Sequence, residues 1–362
     1  MVRLLDEIEW QDPIFPAVAD PAWESEVKRR TGSVGELDRR LVPSSWLREA
    51  YAAVRGYSFV QIPQRMALIG AMVTAQENSC RYCYGGFRSY LKMMGHSEGF
   101  IDRIERDAHI AEMDEKERAF IAFCRKLARS KPRPAKAEKN ELLRLGYTDL
   151  AVNEMAFSIA MGCFTNRLGV LTACPPDLAF EKFANGVMGR LVGMAIRLKN
   201  AAAARKGPHL QPSAAPGAAT GPFGPVVAAL EGLPAAPLLR SALDSALASP
   251  VLSREVKILL FAVVARTLDC KHCEVQSQKL LLDGGLDAAE IEKSLATLGS
   301  SRLESKESRL LAWVRDTVHY QTGPIQAQTR ALAREIGEPA ALEAIGVASL
   351  ANATVRLAML LE

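Results

Sequence analysis

The chain has 362 residues, 49% of them apolar and 24% charged, with 45 Lys+Arg against 41 Asp+Glu. That composition suits a soluble globular protein with room for two domains, and a net charge of +4 carries neither the footprint of a nucleic-acid binder nor a polybasic membrane patch. The longest uninterrupted apolar run, residues 258–265, is too short to cross a bilayer, and Asp6 and Glu7 interrupt any apolar leader, so a cytoplasmic protein without a membrane partner is expected.

In chain order, residues 1–44 carry Pro13, Pro16, Pro21 and Pro43 and read as an arm that wraps a surface. From residue 45 onward the pattern is helical, with no convincing strand, and the expected class is all-α. An apolar helix is predicted over 66–74 and a second over 80–94, closed by Gly95. Further helices follow at 98–107, 114–130, 137–145 and 148–171. Residues 45–200 form the first unit with a connecting helix. Residues 201–226, rich in Ala, Gly and Pro, read as a flexible linker, and 227–362 form the second unit. There an apolar helix is predicted over 256–264 and another over 270–282, closed by Gly284 and Gly285.

The seven cysteines organise the rest. Cys124, Cys163 and Cys174 are singletons in apolar surroundings and read as packing residues. The other four form two C-x-x-C pairs, Cys80/Cys83 and Cys270/Cys273. An odd count argues against a structural disulfide framework. The pairs lie 190 residues apart, and at that offset residues 64–127 align with 254–317 without a gap, with eleven identities; ordinary composition gives roughly four by chance. Near the ends, Thr165-Asn-Arg-Leu-Gly-Val-Leu171 matches Thr354-Val-Arg-Leu-Ala-Met-Leu360. The chain is read as a tandem duplication, too long in period for a solenoid.

Ser79 and Asp269, each just before a first cysteine, are predicted to cap the following helices. Cysteines three apart in a first helical turn share a face, and the helix N-terminus favours a thiolate. A thiolate attacks a peroxide to give a sulfenic acid that its neighbour condenses into a disulfide, or attacks a disulfide directly. Near the first pair, Glu77 is a candidate proton acceptor and Arg81 a thiolate partner; near the second, His272 is a candidate proton shuttle and Lys271 matches Arg81. The plain readings are a capping acid for Glu77 and an exposed helix-face histidine for His272. His96, His109, His209 and His319 have no partner spacing and read as surface residues. Tyr82, Tyr84 and Phe87 line a pocket or join the core, and Gly85-Gly86 permits close packing or opens a path to Cys83. Asn166 is placed to hydrogen-bond a buried helix end, a role its counterpart Val355 lacks.

Taken together, these features resemble the alkylhydroperoxidase D/carboxymuconolactone decarboxylase superfamily over residues 46–178 and 230–362. The resemblance implies two helical repeats packed as a pseudo-dimer and further assembly as a homo-oligomer. It implies hydroperoxide reduction by cycling of Cys80/Cys83 and Cys270/Cys273, with regeneration by a dithiol or thioredoxin-like reductant. His272 matches the histidine inside the family's cysteine pair. The family's downstream histidine position holds Phe87 and Ser277, and its upstream glutamate position holds Leu68 and Ile258. No cofactor and no metal are expected, since structural zinc would need both pairs to converge. Two other readings stay open: a non-catalytic scaffold or small-molecule-binding protein, and a decarboxylase-type enzyme on the same fold, against which the dithiols argue.

Overall fold

Two helices with no polar face set the centre of each half. In the computed structural model, which describes residues 3–106, 113–134, 136–204, 220–300 and 302–361, the first half presents α1 (Pro21–Thr31), α2 (Glu36–Arg40), α3 (Ser45–Arg55), α4 (Gln64–Glu77), α5 (Arg81–Met93), α6 (Glu98–Arg106), α7 (Glu115–Arg129), α8 (Lys136–Arg144) and α9 (Asp149–Leu171). Then come α10 (Leu178–Asn185) and α11 (Val187–Ala204). The second half contains α12 (Gly224–Ala228), α13 (Ala235–Ala248), α14 (Arg254–Thr267), α15 (Lys271–Asp283), α16 (Ala288–Thr297), α17 (Ser305–Asp316), α18 (Thr322–Ile336) and α19 (Glu338–Ala358). No strand occurs among the described residues, and the protein is all-α. The expected linker is helical at both ends, since α11 runs to Ala204 and α12 starts at Gly224; residues 205–219, and with them His209, lie outside the described residues, as does His109.

Both halves repeat one packing scheme. The α4 helix packs on α5, α7 and α9, and α14 packs on α15, α17 and α19. Every residue of α14 from Val256 to Ala265 is buried, because neighbours surround it. The two halves meet where α9 lies along α19. Among the described residues α19 with its short extension is the one helix long and apolar enough to cross a membrane, and 94% of its apolar window is buried inside the protein.

Capping side chains start six of the helices, central and peripheral alike: Asp20, Asp114, Thr148, Asp177, Ser253 and Asp287 each accept the backbone N–H three residues on, each worth about 1 kcal/mol. Two buried glutamates at equivalent places brace the halves. Glu154 on α9 accepts the N–H groups of Val60, Gln61 and Ile62 at 2.6–3.0 Å and the Tyr57 hydroxyl at 2.8 Å. Glu343 on α19 takes the Trp46 indole at 2.5 Å and pairs with Lys257 at 3.0 Å, both charged groups fully enclosed. Such a buried pair adds little net stability, because loss of hydration offsets the attraction.

The proline-rich arm straps the halves together. Gln11 bonds Gln326 and Gly323 of α18, both at 3.0 Å. Trp10 donates to the Cys174 carbonyl at 3.0 Å and Ile14 to that of Thr172 at 3.1 Å.

Candidate functional site

The chain reverses between α4 and α5, and again between α14 and α15, through a single left-handed residue. Ser79 has φ of 48° and Asp269 φ of 52°, a conformation that short polar side chains tolerate better than most. This corrects the expected caps. An N-cap residue is extended, and the extended residues here are the cysteines, Cys80 (φ −88°, ψ 93°) and Cys270 (φ −96°, ψ 97°). The thiol of Cys80 itself accepts the N–H of Cys83, at 3.4 Å. Both C-x-x-C pairs therefore occupy the cap and the third helical position of equivalent helices.

None of the seven cysteines is joined in a disulfide, and all are buried. The sulfur of Cys83 lies 3.9 Å from the Thr165 carbonyl. Gly169 of α9 covers the first pair so closely that a Cβ there would lie 3.0 Å from the Cys80 sulfur and 3.7 Å from that of Cys83. The second half carries Ala358 at the matching place. Repeat 2 covers the same turn from the other side: the Tyr320 hydroxyl donates to the Asn78 carbonyl at 2.8 Å and the Thr322 hydroxyl to that of Ser79 at 3.3 Å.

This burial works against a thiolate at Cys80. Loss of hydration pushes the Cys80 thiol well above its ordinary range, and its neighbour Cys83 adds to the rise; the N–H bond from Cys83 opposes it without prevailing. Cys124 and Cys174 are raised by burial as well, as packing residues should be.

The candidate partners sit elsewhere. Glu77 is buried and gripped by Arg125 and Arg129 of α7, so it ties α4 to α7. Arg81 makes a two-pronged pair with Glu181 of α10, at 2.6 and 3.0 Å, and Lys271 points outward near Asp269 and Glu274. His272 is half-buried beside Cys273. Gly85 is spanned by the Arg81–Glu181 pair, while Gly86 faces open space; close packing explains the first glycine only. Tyr84 is core, and the Tyr82 hydroxyl rests near Gly35 in the arm. Phe87 is half-buried and its counterpart Ser277 fully buried.

Asn166 lies as expected against a helix end: its amide is 3.1 Å from that of Asn78, the closing residue of α4. The second half replaces both polar members, with buried Leu268 and Val355.

The shared Arg of the late motif is a feature the sequence reading left unused. Arg167 reaches from α9 into the other half, to the carbonyls of Thr317 and Val318, both at 3.0 Å. Arg356 reaches back from α19 to the Ala128 carbonyl at 3.2 Å. Ala128 and Val318 are equivalent under the 190-residue offset, so each arginine takes the end of the other half's helix. Both are fully buried. Among the described residues, no group of three or more His, Cys, Asp or Glu is placed to hold a metal ion. No family model, no curated protein and no solved structure matches the chain.

Proposed function

We propose that the chain is a thiol-dependent oxidoreductase of the alkylhydroperoxidase D type, its two repeats packed as a pseudo-dimer through α9 and α19. One observation carries the reading: both halves place two thiols at the cap and third position of the same helix, after the same left-handed residue. Neither packing nor capping requires cysteine at both places twice. In the reaction a thiolate attacks the hydroperoxide, the O–O bond breaks, and the alcohol leaves with a proton. The sulfenic acid is then attacked by the second thiol, which releases water and closes a disulfide. A protein or small dithiol reduces it again. Cys83, at 9% exposure, is the most accessible of the four, the others being at 0%, and so is the first point of attack in repeat 1. His272 serves repeat 2 as proton carrier, and Glu77 holds α4 in place rather than moving protons.

The test is mass spectrometry of alkylated protein before and after stoichiometric hydroperoxide. Disulfides within Cys80/Cys83 and Cys270/Cys273 are expected, and thiol-dependent peroxide consumption should vanish in a Cys83→Ser, Cys273→Ser double variant. Unchanged consumption in that variant would overturn the proposal. The burial of Cys80 beneath Gly169 favours a second reading, a helical scaffold with a disused site. In that case none of the four thiols forms a disulfide with peroxide.

A further inference from the structure

Helix α11 is inside out. Its glycines face the protein: a Cβ at Gly189 would collide with the backbone of Phe183 and Ala184, and one at Gly193 with that of Met93. Its large side chains face away. Val187, Leu191, Met194 and Leu198 recur at helical spacing along one face, from 47% to 73% exposed, and Met188 flanks them at 61%. Of twelve large exposed apolar side chains among the described residues, eight fall between Leu178 and Leu198. The charge here is equally one-sided. From 182 to 230 the sequence holds Lys182, Arg190, Arg197, Lys199, Arg205 and Lys206, and no Asp or Glu. The near-neutral balance of the whole chain averages this segment away.

Beside the apolar face, between the end of α5 and α10–α11, lies a cavity of about 450 Å³ lined by Lys92, His96, Glu98, Asn185 and Arg190, among others. Lys92 pairs there with Glu98 at 2.6 Å and meets Asn185 at 3.1 Å. Glu98 also pairs with Arg88.

We infer that α11 is a docking face for an anionic phospholipid surface, its Val/Met/Leu stripe entering the acyl boundary and the exposed cations Lys182 and Arg190 meeting phosphate headgroups. A second copy of the helix is the wrong partner electrostatically. Self-pairing would bring together two helices of net positive charge, with no Asp or Glu in either to offset it. This inference is independent of the thiol chemistry.

The test is co-sedimentation of the full chain with vesicles of phosphatidylcholine mixed with phosphatidylglycerol, against phosphatidylcholine alone. At least about a tenfold preference for the anionic vesicles is expected, reduced by added salt. A Leu191→Glu, Met194→Glu variant should lose the binding while keeping its helical circular dichroism and thermal midpoint, because both side chains face outward. Equal or absent binding to the two vesicle types would overturn the inference. So would light scattering that shows a dimer in the parent and a monomer in the variant, since the face would then be a contact between copies.

Discussion

At the scale of single residues, burial decides the character of Cys80. Its sulfur sits where a helix N-terminus should lower its pKa, yet loss of hydration pushes it up. Cys80 in the reduced protein should therefore alkylate far more slowly than a free thiol at the ordinary thiol pKa of about 8.5, and faster in urea; pH-dependent alkylation read by mass spectrometry checks this. The sign for stability follows from the raised value. Below the ordinary thiol range the contribution is complete, and it is lost as rising pH ionises the unfolded thiol first. His319 carries the opposite sign. Its pKa is pushed down to about 4, first by burial and then by the cations Arg356, Arg167 and Lys131. As pH falls from the ordinary 6.5 toward about 4 the unfolded chain takes the proton first, so stability should fall across that window. Thermal midpoints should show the drop, and His319→Gln should flatten it. His319 is exposed, as the sequence reading expected; the cations that act on it come from residues far away in sequence, which spacing does not reveal.

At the scale of elements, the contact between α5 and α9 depends on Gly169. Gly169→Val would force a branched side chain onto the Cys80 sulfur, 3.0 Å from the site of its Cβ, and should cost about 1–3 kcal/mol as overpacking. The matched change Ala358→Gly should cost only about 1 kcal/mol, a propensity effect. Chemical denaturation of the two variants checks the asymmetry. Element positions were largely legible in the sequence. Helices predicted at 98–107, 114–130, 137–145 and 148–171 appear as Glu98–Arg106, Glu115–Arg129, Lys136–Arg144 and Asp149–Leu171. The caps before the cysteines were not legible. Ser and Asp suit both an N-cap and a left-handed turn, and only the backbone path between consecutive helices distinguishes the two.

At the scale of the whole molecule, the halves are joined by a reciprocal pair of buried arginines. Arg167→Met should cost about 2–4 kcal/mol, because the Thr317 and Val318 carbonyls and Asn78 lose a charged donor. Arg167→Lys should recover less than half of that, since an ammonium cannot span both carbonyls as the planar guanidinium does. The Arg167→Met, Arg356→Met double variant should lose less than the sum of the single changes. The two cations repel each other: the pKa of Arg356 is lowered first by burial and then by Arg167. Urea unfolding of the four chains measures the cycle.

The sequence by itself determined the helical class, the duplication and the paired thiols, because helical periodicity, capping residues and a fixed 190-residue offset are local or self-referential signals. Tertiary structure alone decided the environment of those thiols. Gly169, Tyr320 and Thr322 reach residues 78–83 from distant parts of the chain, and Glu77 and Arg81 turn to Arg125, Arg129 and Glu181 instead of to sulfur. Hydration and charge pairing depend on which surfaces meet, and spacing along a chain does not encode that.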